Sequence, residues 1–349
     1  MTGGKGFVFF TIGDRALMPP LLAEAFGSPE LRSFLQYVIN GLTIGALYAL
    51  IALGYTMVYG IIELINFAHG DLFMLGCFFA LTVLSLIGLM GSSVAGASTG
   101  MLVLGIVLMF VLTPLFAASV NWSVDRIIYK PLRNAPKLTA LVSAIGVSFI
   151  FMNLGQFWNA LIKEEGKPVQ AASDRSFPGL ITPTNLLGEF GLQFTYRDLL
   201  IVCVTVPIMI ALTLFVKYTR MGKAMRATAQ NPTAAKLMGI DVDRVISVTF
   251  VIGGALAGVA SVIYALTITR IGYTVGFQNG LYAFTAAVLG GIGNIPGAVL
   301  GGLMIGLVQA LGDGYVGAEW SSALIFLILI LVLVFRPSGL LGAHTREKV

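Results

Sequence analysis

The sequence predicts an all-α polytopic membrane protein of about eight transmembrane segments, and three observations carry that prediction. Of the 349 residues, 57% are hydrophobic and only 11% are charged, where a soluble domain would carry roughly a quarter. Mean hydropathy is +0.92. Apolar runs recur near the length of roughly 20 residues that a helix needs to cross the hydrocarbon core. Runs such as SSALIFLILILVLVF do not alternate as the strands of a membrane barrel would.

The elements follow in order. Ser28-Pro29-Glu30 reads as an N-cap with proline at the first helical position, and opens a spanning helix over about 31–59. INFAHGD (65–71) interrupts the apolar signal, which resumes over 72–89. The small-residue loop GSSVAGAS precedes a third segment near 100–119. VDRIIYKPLRNAPK sets Arg126, Lys130, Arg133 and Lys137 against one acid, Asp125, and leads into a fourth helix at about 139–160. From Lys163 to Asp198, four basic residues face five acidic ones in a long polar loop. A fifth helix covers about 199–216. Residues 217–244 then carry Lys217, Arg220, Lys223, Arg226, Lys236 and Arg244 against Asp241 and Asp243, before a sixth helix at about 245–267. The last helix spans about 321–335. Between the sixth and the last lie two apolar pieces, each short for a span, flanking GGIGNIPG.

Basic residues concentrate in loops that stay in the cytoplasm. That rule puts 121–138, 217–244 and the tail with Arg336, Arg346 and Lys348 inside, and 161–198 outside. The alternation of the fourth, fifth and sixth helices agrees with it. Counting back places the N-terminus outside, although its charge-balanced first 34 residues add little to that assignment. The piece around GGIGNIPG must enter and leave on the outer side, as a re-entrant loop or as two short spans. The expected organisation is an N-terminal extension (1–34), a membrane domain (35–342) with cytoplasmic loop 217–244 and extracytoplasmic loop 161–198, and a cytoplasmic tail (343–349).

Composition also excludes. The net charge of +5 belongs to cytoplasmic loops rather than to nucleic-acid binding. Cys77 and Cys203 lack CxxC or metal-ligand spacing and are expected to be small buried side chains. GFVFFTIGDR is too short for a cleavable signal peptide, and the sequon at Asn121 reads as chance. The histidines, His69 and His344, stand in unrelated contexts, with no HExxH and no nucleophile motif. No catalytic residue, metal site or cofactor is expected.

Two breaks, 65–71 and 290–297, place Gly, Pro, Asn or charge inside apolar sequence. Irregular backbone survives in a bilayer only where protein or a water-filled cavity surrounds it. Paired discontinuities are the best sequence pointer to a transport path, and half-helix ends suit the charges of a zwitterion. The candidate path residues are Tyr55, Asn66, His69, Asp71, Gly290, Gly293, Asn294 and Pro296. The plainer alternative makes both stretches surface loops, with Glu63, His69, Asp71 and Glu319 at the membrane edge, meeting water. Glycines spaced by four (Gly41/Gly45, Gly254/Gly258, Gly293/Gly297/Gly301, Gly302/Gly306) predict close helix packing.

In the loop MGKAMRATAQNPTAAKLMGIDVDRV, Asn231-Pro232 starts a short helix and Gly239 is placed to end it. Ala234, Ala235, Leu237, Met238 and Ile240 form a knobby apolar surface suited to docking in a partner's groove. The alternative is a helix lying on lipid headgroups. No GxxxxGK[ST] occurs, so an ATP motor would have to be another chain.

Four ordered motifs, NGLTIGALYALIALGYTMVYGIIELINFAHGDLFMLG, RATAQNPTAAKLMGIDVDRVI, AVLGGIGNIPGAVLGGLMIGLVQ and FRPSGLLG, resemble those of branched-chain amino acid ABC transporter permeases of the LivH type. The resemblance spans about Leu35 to Gly342. It implies a translocation subunit of the bacterial inner membrane that works with a second, LivM-like permease, two cytoplasmic ATP-binding subunits and a periplasmic solute-binding protein. It also implies that Arg226, Gln230, Asn231, Pro232, Ala234, Ala235, Leu237, Met238, Gly239 and Ile240 form the ATPase-coupling loop. A self-sufficient carrier or channel for a small polar solute is the competing class, and would want intramembrane ionisable residues. A membrane-embedded enzyme is the third. Other amino acids, short amides or urea remain open as substrates beside the branched-chain amino acids.

Overall fold

A computed structural model describes residues 28–62, 66–94, 96–133, 135–161 and 172–342. The extension before residue 28, the tail after 342, and Glu63, Ile65 and His344 lie outside the described residues.

Helix α1 (Pro29–Ile62) starts at the proline that the sequence placed at its first position. Helix α2 (Ala68–Leu86) begins inside the INFAHGD stretch, and α3 (Thr99–Val124) is opened by Ser98, whose side chain accepts from Met101 N. A π-helical turn (Asp125–Tyr129) extends α3, and α4 (Lys137–Leu161) follows. The outer loop contributes β1 (Arg175–Ser176). Helix α5 (Tyr196–Tyr218) starts on a capping box in which Thr195 N donates to Asp198 Oδ2 at 2.8 Å. Helices α6 (Arg220–Gln230) and α7 (Pro232–Leu237) form the loop expected in the cytoplasm, and α8 (Val242–Ile268) runs back to the end of the bundle that holds β1. There β2 (Arg270–Ile271) pairs antiparallel with β1. The chain ends with α9 (Val275–Gly290), α10 (Ile295–Tyr315) and α11 (Ala318–Phe335).

Among the described residues, eight helices are long and apolar enough to span a membrane: α1–α5, α8, α10 and α11, with the π-turn counted in α3. At 16 residues, α9 is about 24 Å long, short of the roughly 30 Å core. The GGIGNIPG hairpin is therefore one short helix and one full span. The start of α1 lies beside the outer loop, where Gln36 Oε1 accepts from Gln193 N at 2.7 Å. The start of α1 and that loop therefore lie at the same end of the bundle.

Burial divides the helices into a core and a rim. The most apolar window of α1 is 83% buried, that of α11 only 11%. Helices α1, α2, α8, α9 and α10 form the core, while α3, α4, α5 and α11 present broad apolar faces outward. Cys77 is buried as expected, but Cys203 is exposed, because it lies on the outward face of the rim helix α5.

The glycine ridges each find a different neighbour. Gly41 and Gly45 of α1 interleave with Gly302 and Gly306 of α10; a β-carbon on Gly306 would stand 2.3 Å from Gly41 O and Gly45 Cα. Gly254 and Gly258 of α8 lie against Ala117 and Pro114 of α3. Gly297 and Gly301 of α10 lie against Gly290 and Ala286 of α9. Backbones come this close only where side chains are absent, and in lipid such packing replaces the hydrophobic drive that water would supply.

Candidate functional site

The first break is a climb back into the bundle. Helix α1 runs to Ile62, yet α2 restarts beside Tyr55 and Gly54, seven or eight residues before that end. At the helical rise this is about 10 Å deeper than the end of α1. The break's polar residues are turned into neighbouring helices. Asn66 Oδ1 accepts from the hydroxyl of Tyr129 at 3.1 Å, and Asn66 O accepts from His69 N at 3.1 Å. The His69 ring stands edge-on to Tyr55, with centroids 4.8 Å apart, in the space left by Gly54. Asp71 Oδ2 accepts a short hydrogen bond from Ser148 Oγ of α4. Ser148 is about 16 Å along α4 from its cytoplasmic start.

His69 and Asp71 are each 1% exposed. They do not sit in water: the early restart of α2 carries them back along α1 and into the bundle. Asp71 occupies the first turn of α2, so a carboxylate of the protein itself already meets that positive helix end. Among the described residues, Thr56 Oγ1, Asn66 Nδ2 and Asp71 Oδ1 make no hydrogen bond to another protein group, while the His69 ring interacts with the Ile51 backbone.

The second break is pinned by the chain's own C-terminal segment. Leu340 N and Leu341 N donate to Leu289 O and Gly290 O at 2.8 and 3.0 Å, and Asn294 Nδ2 donates to Leu341 O at 2.6 Å. Gly291, Gly293 and Gly339 hold φ of 102°, 89° and 74°, where a side chain would strain the backbone. Asn294 Oδ1 also caps α10, accepting from Gly297 N at 3.1 Å, with exposed Pro296 in its first turn.

The cytoplasmic loop meets both α1 and the second break. A cavity of about 70 Å³ is lined by Thr56, Gly60 and Ile61 of α1, Met225, Arg226 and Ala229 of α6, and Gly293 at the hairpin tip. A narrow crevice nearby lies between Tyr55, Tyr59, Phe284, Ala287 and Ile292. Arg226 donates a short hydrogen bond to Val216 O, tying α6 back to α5. Gln230 ends α6, and Asn231 caps α7 by accepting from Ala234 N at 3.0 Å, directly before Pro232. Gly239, at φ 81°, ends the helix as expected. The apolar surface is smaller than the sequence suggested. Leu237 and Met238 are 84% and 82% exposed and Ala234 is exposed, but Ala235 is buried and Ile240 packs inward.

The structure thus gathers Tyr55, Asn66, His69 and Asp71 around the start of α2. Gly290, Gly293, Asn294 and Pro296 gather at the hairpin tip, with α6 against Gly293. Sequence reasoning missed Thr56, Tyr59, Gly60 and Phe284, which line the openings. Their one signal was proximity to Tyr55 or to the second break.

The chain resembles known proteins over nearly its whole length. Residues 37–333 match the family described as branched-chain amino acid transport system / permease component. The high-affinity branched-chain amino acid transport system permease protein LivH of Escherichia coli K12 is 41% identical over 325 residues, 92% of this chain and 100% of that protein. The corresponding BraD of Pseudomonas aeruginosa is 40% identical over 324 residues, again 92% and 100%. A probable LivH of Methanocaldococcus jannaschii is 26% identical over 310 residues, 86% of this chain and 90% of that protein. No solved structure gives a significant match.

Proposed function

The chain belongs to the family of permease components of branched-chain amino acid transport systems, and from that premise we propose how it works. It is an integral inner-membrane subunit of an ABC importer for branched-chain amino acids, the solutes named for its relatives. It forms part of the translocation path beside a second, related permease. Two cytoplasmic ATP-binding subunits hydrolyse ATP, and a periplasmic binding protein delivers the solute.

One observation carries this reading. The short helix that offers Leu237, Met238 and Ala234 to the cytoplasm continues α6, whose Met225 and Arg226 line a cavity with Gly60 and Gly293. An exposed apolar helix tip needs a groove to fill, and whatever moves it moves α6 against both break regions. Tyr55, Tyr59, Phe284 and Gly293 border the openings and are the residues we assign to the path. Asn66, His69 and Asp71 face neighbouring helices and act as the hinge that orients α2.

Reconstitution tests the proposal. Liposomes holding the complete assembly should import leucine, isoleucine or valine only with ATP and the binding protein. Solute flux through this chain alone, without ATPases, would sink it.

A further inference from the structure

We infer that Arg133 and Tyr129 are positioning residues that carry displacement of the docking helix α7 to the start of α2. The inference rests on the reading above that α7 meets an ATPase.

The contacts run without a gap. After α7, Gly239 N donates to Lys236 O and Ile240 N to Ala235 O, both at 3.0 Å, so the exit is a closed turn with little slack. The next residue, Asp241, caps α8 by accepting from Arg244 N at 3.0 Å. Two residues on, Asp243 accepts a short hydrogen bond from Arg133 Nη1, and Lys130 Nζ lies 3.6 Å from its other oxygen. Arg133 Nη2 donates to Asp125 Oδ1 at 2.8 Å, and Ser247 Oγ of α8 donates to Asp125 Oδ2 at 2.5 Å. A single guanidinium thus bridges the first turn of α8 and the π-turn Asp125–Tyr129. Its planar fork holds two carboxylates in fixed directions, which a lysine ammonium does not.

From the π-turn the path goes inward. Asp125 is fully buried, and Arg133 and Ser247 each pair with one of its carboxylate oxygens. Lys130 N donates to Asp125 O at 2.7 Å, and the extra residue in this turn projects Tyr129 into the bundle. Single π-turns inside α-helices are frequent at functional sites. The Tyr129 ring packs on Phe250 with centroids 5.2 Å apart, and its hydroxyl reaches Asn66 Oδ1. The carbonyl of Asn66 receives His69 N, so Asn66 sets where the first turn of α2 begins. The sequence singled out the basic run 126–137 as a topology signal only; its arrangement makes it a link.

A buried ion cluster can also serve stability alone. The two roles differ in what they do to coupling. A purely structural loss lowers import and ATP hydrolysis together. A broken link leaves hydrolysis running while import falls. The test uses the complete transporter in liposomes with binding protein and leucine, reading ATP hydrolysed per leucine imported. Tyr129→Phe, which keeps the ring on Phe250 and removes only the hydroxyl, and Arg133→Lys should each raise that ratio at least about threefold, within the range by which residues along a coupled network modulate it. The double variant should raise it no further than the larger single effect, because both sit on one path. An unchanged ratio in Tyr129→Phe, or import and hydrolysis falling in proportion, overturns the link whether or not Arg133→Lys assembles. A wild-type assembly that imports without ATP sinks the importer reading itself, and the link with it.

Discussion

Gly306→Ala isolates what the glycine seam between α1 and α10 contributes. The new β-carbon would stand 2.3 Å from Gly41 O, Gly45 Cα and Gly45 N, where ordinary contact is 3.4–4 Å. All three are backbone atoms, so no rotamer change relieves the clash, and the helices must part by roughly 1 Å in a close-packed interior. The loss extends along the seam, because a β-carbon on Gly302 would stand 2.6 Å from Ala49 Cα and one on Gly45 2.7 Å from Leu303 Cα. Overpacking of this kind costs about 1–3 kcal/mol, and the unyielding contacts argue for the upper end. Against it stands the gain of about 1 kcal/mol when alanine replaces glycine within a helix. The packing term wins, leaving a net loss of about 2 kcal/mol. Gly146→Ala in α4 is the matched control: nothing lies within 4 Å of its β-carbon, so only the propensity gain remains. Denaturation of purified protein in mixed micelles with increasing SDS, followed by helical circular dichroism, should lower the midpoint for the first variant and leave it unchanged or raised for the second. A Gly306→Ala protein as stable as wild type would refute the seam argument.

Two further outcomes follow from the site. Ser148→Ala removes the hydrogen bond to Asp71 and leaves a buried carboxyl whose other oxygen is already unpaired. The expected loss is about 1–3 kcal/mol in the same SDS titration, with Ser148→Thr restoring most of it; a neutral Ser148→Ala would remove Asp71 from the hinge. On the cytoplasmic side, Ala234→Asp puts a charge on the exposed face of α7 beside Leu237 and Met238. It should abolish ATP-driven uptake while membrane insertion and the SDS midpoint stay as in wild type, and full uptake would show that this face docks nothing.

The spans were legible because a bilayer imposes length and apolarity on each, and because a cap such as Asn231 acts through a residue three positions away. The breaks were legible as interruptions of the same signal. Where their side chains point was not. Asn66 finds its partner 63 residues on and Asp71 finds its partner 77 residues on, pairings that only the assembled bundle decides. The glycine ridges announced close approach without naming the neighbour, since a GxxxG stripe fits any small-residue groove. In the docking helix, six residues give too few turns for periodicity to separate inward from outward, so Ala235 and Ile240 were grouped with Leu237 and Met238. Tyr59 and Phe284 gave no signal beyond proximity to Tyr55 or to the second break, because an aromatic residue in an apolar run reads as core.

These contacts also divide the molecule into a part that resists motion and a part that permits it. Helices α1 and α10 touch backbone to backbone along the Gly41–Gly45 and Gly302–Gly306 seam, and interlocked surfaces of this kind change arrangement only by coming apart. The start of α2 is held differently, by one hydrogen bond to Tyr129, one to Ser148 and the edge of Tyr55 on His69. Each such hydrogen bond contributes about 0.5–1.5 kcal/mol net. Exchanging these contacts therefore costs less than opening the seam. Gly70 does pack backbone to backbone on Gly276 and Gly280 of α9, a β-carbon there standing 2.5 Å from Gly276 O, so by the same argument α9 moves with that turn of α2. On the importer reading proposed above, ATP-driven closure would displace α6 and α8, the first turn of α2 would be the element that yields, and the α1–α10 block would be the frame it moves against.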